Sequence, residues 1–316
     1  MRRSEAAYDG GRYERAKVCA EAALEMRPRS VAALKDRASA LVALSQFDEA
    51  RLDYALALAL DPDDPETLYG AADLYVVRLG GERALLELGR AYALRGATRA
   101  ERPPHHHHEE AGELLVLAAM AENDLGESRS ALEHASQALR LGAPEADARY
   151  ERGVALYELC RFPEARTALA RVLELKPDDA WAHHYLALVA ERLGEPVRSQ
   201  ALEARARALA PKEFLPPVEM DEKTFEEEVQ RAVASLPEKE RRALSRVPVE
   251  VADVPTLEDL TAVDPPLSPT ILGLFRGPSE QERCRADDGP KCRSIVVYRL
   301  NLERFARDEA DLREQV

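Results

Sequence analysis

The stretch ALALDP (residues 57–62) recurs along the chain as ALEMRP (23–28) and VLELKP (172–177), and more loosely as ARALAP (206–211). Each is the end of an Ala/Leu-rich helical pattern stopped by proline, which has no N–H to continue a helix. The step from Pro28 to Pro62 equals the step from Pro177 to Pro211. Twelve positions before each proline stands a small residue: Ala16, Ala50, Ala165 and Ser199. Five positions before stand Ala23, Ala57, Val172 and Ala206. The same frame predicts two units without the proline. One carries Ala72, Ala84 and Ala91 and ends near Gly96; the other carries Ala119, Ala131 and Ala138 and ends near Ala143. The ends therefore fall at positions 28, 62, 96, 143, 177 and 211. All but one of the steps between them are equal. The longer one, from 96 to 143, divides the units into two runs of three separated by an insertion.

A regular period of about 34 residues, with small residues at fixed offsets, resembles the tetratricopeptide repeat, which implies a stacked helix–turn–helix unit. Small residues let the paired helices approach. Tyr13, Phe47 and Phe162 are placed to plug the turn, and Gly11, Gly126 and Gly194 to reverse the chain. The pattern resembles the tetratricopeptide repeat and covers residues 1–213 as six units, with an insertion at about 99–111. The third unit lacks its closing proline. The resemblance implies a mostly α helical solenoid in which the first helix of each unit lines a concave groove. Its inward positions fall on Lys35, Tyr69, Asp73, Met120, Asn123, Tyr150, Tyr157, Trp181 and His184. Rigid, amphipathic rings there can anchor a protein or peptide partner, and equally can pack one unit on the next. No paired Lys/Asn clamp for a terminal carboxylate stands among them.

Composition narrows the classes. A net charge of −14 with no Lys/Arg block argues against nucleic acid as partner. No apolar run reaches the roughly 18 residues of a membrane span, and MRRSEAAYDG has no apolar secretory core. Four cysteines among 316 residues point to a reducing cytoplasm. Aromatics at 5% fit many thin interfaces better than one large core. The run His105–His108, followed by two glutamates, reads as a solvated loop rather than a metal site, because neighbouring residues diverge. Cys19 and Cys160 read as small packed residues. Cys284 and Cys292 flank the turn sequence Asp-Asp-Gly-Pro and read as reduced thiols, with a disulfide or half a metal site as alternatives.

After Pro211 the composition changes. Residues 214–223 form a proline-containing linker, and 224–316 read as an α+β unit. Thr224 is expected to cap a helix with Phe225, Val229, Ala232, Val233 and Leu236 on one stripe. A short helix to Leu244 follows, then strands at 247–251, in ILGLFRG, and in SIVVYRLNL, and a last helix capped by Asp308. The order of VPVEVADVP, LGLFRG, IVVYRLNLERFA and LREQV resembles the small bacterial zincin-like metallopeptidase domain. That resemblance implies that the last helix continues into a His-Glu-x-x-His motif, whose histidines bind zinc and whose glutamate activates water. No histidine follows His184. The expectation is therefore an incomplete zincin-like domain. No residue of this chain is assigned to catalysis or metal, and zinc is expected only if such a motif follows Val316.

Overall fold

A computed structural model describes residues 11–101, 108–244, 247–278 and 292–316. The chain divides into two compact units. Unit 1 comprises Met1–Leu156 with Pro163–Pro177, and unit 2 comprises Tyr157–Phe162 with Asp178–Val316.

Unit 1 is helical. Its elements are α1 (Tyr13–Met26), α2 (Val31–Ala43), α3 (Phe47–Leu60), α4 (Pro65–Asp73), α5 (Arg83–Glu101), α6 (His108–Asp124), α7 (Ser128–Leu141), most of α8 (Glu145–Glu158) and most of α9 (Phe162–Leu175). The small positions of the repeat frame are where the helices meet: Ala16, Ala50, Ala57, Ala72, Ala119, Ala131, Ala138 and Ala165 are all 0% exposed. Side chains this short allow close backbone approach. At Gly153 even a methyl group is too large, since a Cβ there would lie 2.7 Å from Leu169 Cγ.

The turn between the paired helices repeats as faithfully as the alanines. Gly11, Ser45, Gly126, Cys160 and Gly194 all have left-handed φ, between 58° and 77°, and the last three follow one another at equal intervals of one repeat. In three of these turns the chain closes the helix with a long backbone bond: Gln46 N–H donates to Leu41 C=O, Glu127 N–H to Glu122 C=O, and Glu195 N–H to Ala190 C=O, at 2.7–2.9 Å. Ser45 and Cys160 hold the conformation despite carrying a Cβ, which costs about 1–2 kcal/mol.

The third repeat departs from the frame. Ala84 and Ala91, expected at its packed positions, are exposed; Leu86 and Ala93, two residues on, are buried instead. The cause lies upstream. After α4 the helix widens into a π-turn, Leu74–Arg78, in which Leu79 N–H donates to Leu74 C=O at 2.9 Å, and α5 starts two residues late. The left-handed turn residue moves with it, to Gly81. Within the expected insertion at about 99–111, the described residues are helical: α5 runs to Glu101 and α6 starts at His108. Its flanks, ATRAE and HEEAGE, are rich in good helix formers. His105–His107 lie outside the described residues.

Unit 2 contains α10 (Ala180–Arg192), α11 (Pro196–Leu209) and the C-terminal region: α12 (Glu222–Ser235), α13 (Glu238–Leu244), β1 (Val249–Ala252), α14 (Leu257–Leu260), β2 (Gly273–Arg276), β3 (Ser294–Tyr298), α15 (Arg299–Phe305) and α16 (Glu309–Gln315). The sheet order is β1-β3-β2, with β1 parallel and β2 antiparallel to β3. Phe225, Val229, Leu302, Ala306 and Leu312 build its core, against which Val249, Val251 and Val316 pack.

Three boundaries differ from the sequence reading. The cap of α12 is Asp221, whose carboxylate accepts from Thr224 N–H at 3.0 Å, so the helix starts before Thr224. The alternation read through 302 ends at Tyr298, because Leu302 and Ala306, four apart, bury one face of a helix. The short α14 had no signal beyond its capping Thr256. Asp308 caps α16 as expected, accepting from Ala310 and Asp311 N–H at 2.9 Å, and Leu312 is fully buried. Cys292 is disulfide-bonded, correcting the reduced-thiol reading; Cys284 lies outside the described residues, and Cys19 and Cys160 are free.

Candidate functional site

The nine groove positions fall into two environments. In unit 1, Lys35, Tyr69 and Asp73 line one cavity of about 450 Å³, together with Tyr13, Tyr54 and Arg78. Helical spacing places Glu66, Tyr69 and Asp73 along one side of α4. Lys35 pairs with Glu66, Arg78 Nε lies 3.6 Å from Asp73, and Ser39 and Tyr54 hydroxyls are 3.3 Å apart. Gly70 gives the Tyr54 ring room, since a Cβ there would come within 2.8 Å of its Cζ. Burial raises the Tyr69 phenol above its ordinary pKa, and the carboxylates of Glu113, Asp73 and Asp147 raise it further. Tyr69 makes no hydrogen bond among the described residues, so its hydroxyl is available.

Further along unit 1, Met120 and Tyr150 are half-buried. Asn123 Nδ2 donates to the Glu151 carboxylate at 2.8 Å and to its carbonyl at 3.0 Å. Glu151 is 3% exposed, and burial lifts its carboxyl to about 8. Asp124 and Asp147 add to the rise, while the bond from Asn123 opposes it. No sequence signal marked Glu151, because a glutamate on an amphipathic helix reads as surface.

In unit 2 the corresponding positions meet the chain itself. Tyr157 is 2% exposed and packs against Phe162 and edge-on to Tyr185, so it belongs to the core rather than to a ligand surface. His184 stacks on Phe214, with centroids 4.9 Å apart, and its Nδ1 lies 3.0 Å from Glu203. Trp181 meets Phe214 edge-on at 4.8 Å. Phe214 was read as linker, yet it stands one full period after Ala180, where a further repeat would start its first helix. Continuing the frame past Pro211 would have found it.

The C-terminal region completes this covering. Arg304 of α15 forms a two-pronged pair with Glu191 of α10, with Nη1 at 3.0 Å from Oε1. Arg192 donates to Pro255 C=O, and Cys160 Sγ lies 3.9 Å from Leu267 C=O. Burial pushes the Cys160 thiol up to about 11, so it stays protonated. Among the described residues no three His, Cys, Asp or Glu side chains converge to hold a metal ion, so these residues do not form a zinc centre. No helix among them is long and apolar enough to cross a membrane.

Comparison with known proteins agrees with both halves. Residues 1–65 and 116–180 match the tetratricopeptide repeat model, and 244–316 match the zincin-like metallopeptidase model. No curated protein matches the chain significantly in sequence. Among solved structures it is similar to PilW, a type IV pilus biogenesis factor, with a TM-score of 0.55 and 18% identity over 66% of this chain and 91% of that one. It is likewise similar to pilF of Pseudomonas aeruginosa, at 0.55 and 18% over 66% and 89%. YrrB, described as a TPR protein with an unusual peptide-binding site, gives 0.46 and 19% over 61% and 93%. At such identities the likeness is one of fold. The chain thus carries tetratricopeptide repeats and, C-terminal to them, a zincin-like domain.

Proposed function

We propose that this chain binds a protein or peptide segment on the first-helix side of unit 1, with Lys35, Tyr69 and Asp73 at the centre and Met120, Asn123 and Tyr150 continuing the surface. The observation that carries this reading is the cavity beside Tyr69: a half-buried aromatic with a free hydroxyl, set among carboxylates and paired cations. Such a mixed wall suits a peptide, which offers backbone hydrogen bonds and side chains of either charge. Tyr157 is instead a core residue of unit 2, and Trp181 and His184 pack against Phe214. In this reading the 316 residues bind without hydrolysing, because the His-Glu-x-x-His that the zincin resemblance calls for is not among them.

The test is binding to a library of short random peptides. Tyr69→Ala is expected to weaken the selected peptides at least tenfold, the loss of a buried aromatic anchor, with helicity unchanged. Trp181→Ala is expected to leave them bound. Binding that survives Tyr69→Ala and is lost in Trp181→Ala would reverse the assignment.

A further inference from the structure

Strand β1 has an unpaired edge. Pro248 C=O accepts from Ile295 N–H at 2.9 Å, which sets the phase of the parallel ladder. By the two-residue alternation, Glu250 bonds toward β3, whereas the N–H and C=O groups of Val249 and Val251 point the other way. β1 is an end strand, and none of these four groups has a hydrogen bond among the described residues. The edge is also well supported, since the Val249 and Val251 side chains pack against the core of Phe225 and Val229.

A cleft of about 900 Å³ runs along this edge, between residues 249–251 and one flank of α12 carrying Lys223, Glu226, Glu227, Gln230 and Arg231. We propose that the cleft takes an extended, basic peptide segment, which adds to β1 as a further strand. An exposed edge is a template for an incoming backbone, and main-chain hydrogen bonds from Val249 and Val251 would supply the register. The charge of the wall selects the side chains. Lys223 lies 3.7 Å from Glu227, and Arg231 pairs with Glu228 at 2.8 Å, so both cations are matched. Glu226 has no cation beside it among the described residues, and Glu250 has Arg276 at 3.6 Å. The uncompensated charge is negative. Every second residue of an added strand faces α12, and those are the positions where Lys or Arg fits.

The probe is an acetylated, amidated peptide that alternates Lys and Val, measured by fluorescence anisotropy against its Glu/Val counterpart. The Lys/Val peptide is expected to bind, with the Glu/Val peptide at least tenfold weaker. Val251→Pro removes an outward N–H without touching the β3 ladder, a place where an edge strand tolerates proline; it is expected to weaken binding at least tenfold. A Lys/Val peptide N-methylated at alternate residues tests the same bonds on the unaltered protein, should the variant not fold. No binding, or equal binding by the Val251→Pro chain and by the methylated peptide, would overturn the proposal. So would concentration-dependent self-association that Val251→Pro abolishes, since a second copy would then occupy the edge. Unit 1 binding, tested separately through Tyr69, is unaffected by either result.

Discussion

Unit 1 and the C-terminal part of unit 2 solve the same packing problem with opposite materials. Unit 1 stacks helices on alanine and glycine, and its buried positions recur because each repeat meets its neighbour in the same way. The C-terminal region fills one core with Phe225, Val229, Leu302 and Leu312. The first kind of interface fails when a residue grows, the second when one shrinks. The same contrast separates the surfaces. Unit 1 leaves a cavity beside Tyr69, whereas in unit 2 Phe214 stacks on His184 and Arg304 pairs with Glu191.

Perturbations should expose this difference. Phe225→Ala in unit 2 is expected to cost about 3–5 kcal/mol, through lost burial and a residual cavity, read from denaturant unfolding. A pH effect of similar order belongs to unit 1. Glu151 keeps its proton in the fold because its pKa is raised to about 8 from an ordinary 4.5. The stability that this contributes is complete below pH 4.5 and is lost as pH rises through about 8, on the order of several kcal/mol. Glu151→Gln should flatten that slope; an unchanged pH profile would place the buried proton elsewhere. Ala50→Leu should cost about 1–3 kcal/mol by overpacking, although the same exchange on a surface helix position is harmless. At the repeat turns, Gly126→Ala should cost about 1–2 kcal/mol and Ser45→Gly should gain less than about 1 kcal/mol, since both hold left-handed backbone. If Ser45→Gly destabilises instead, the turn depends on the serine side chain and not on its backbone.

How much of this was visible in the sequence follows from what repeats. The alanines, the closing prolines and the turn glycines announced unit 1, because one geometry had to be satisfied several times at fixed offsets. The third repeat's packed positions escaped, since a π-turn shifts the frame by two residues and its turn glycine, Gly81, stands off the repeat position. In the C-terminal region the elements were found in the right order, but SIVVYRLNL was read too far as strand. Alternation and helical spacing coincide over a few residues, and only the burial of Leu302 with Ala306 separates them. Of the nine groove positions, Tyr157 is buried and His184 stacks on Phe214, which residue type alone does not announce. Whether Tyr157 and His184 face solvent or Phe162, Tyr185 and Phe214 is a tertiary fact, as is the burial of Glu151 that raises its carboxyl.

The assignment of the binding face to unit 1 rather than to α10 can be tested by hydrogen exchange. The chain would be saturated with a peptide selected from the random library. New protection is predicted in α2 and α4, around Lys35, Tyr69 and Asp73, with α10 unchanged. Protection that appears instead in α10, around Trp181 and His184, would contradict the account.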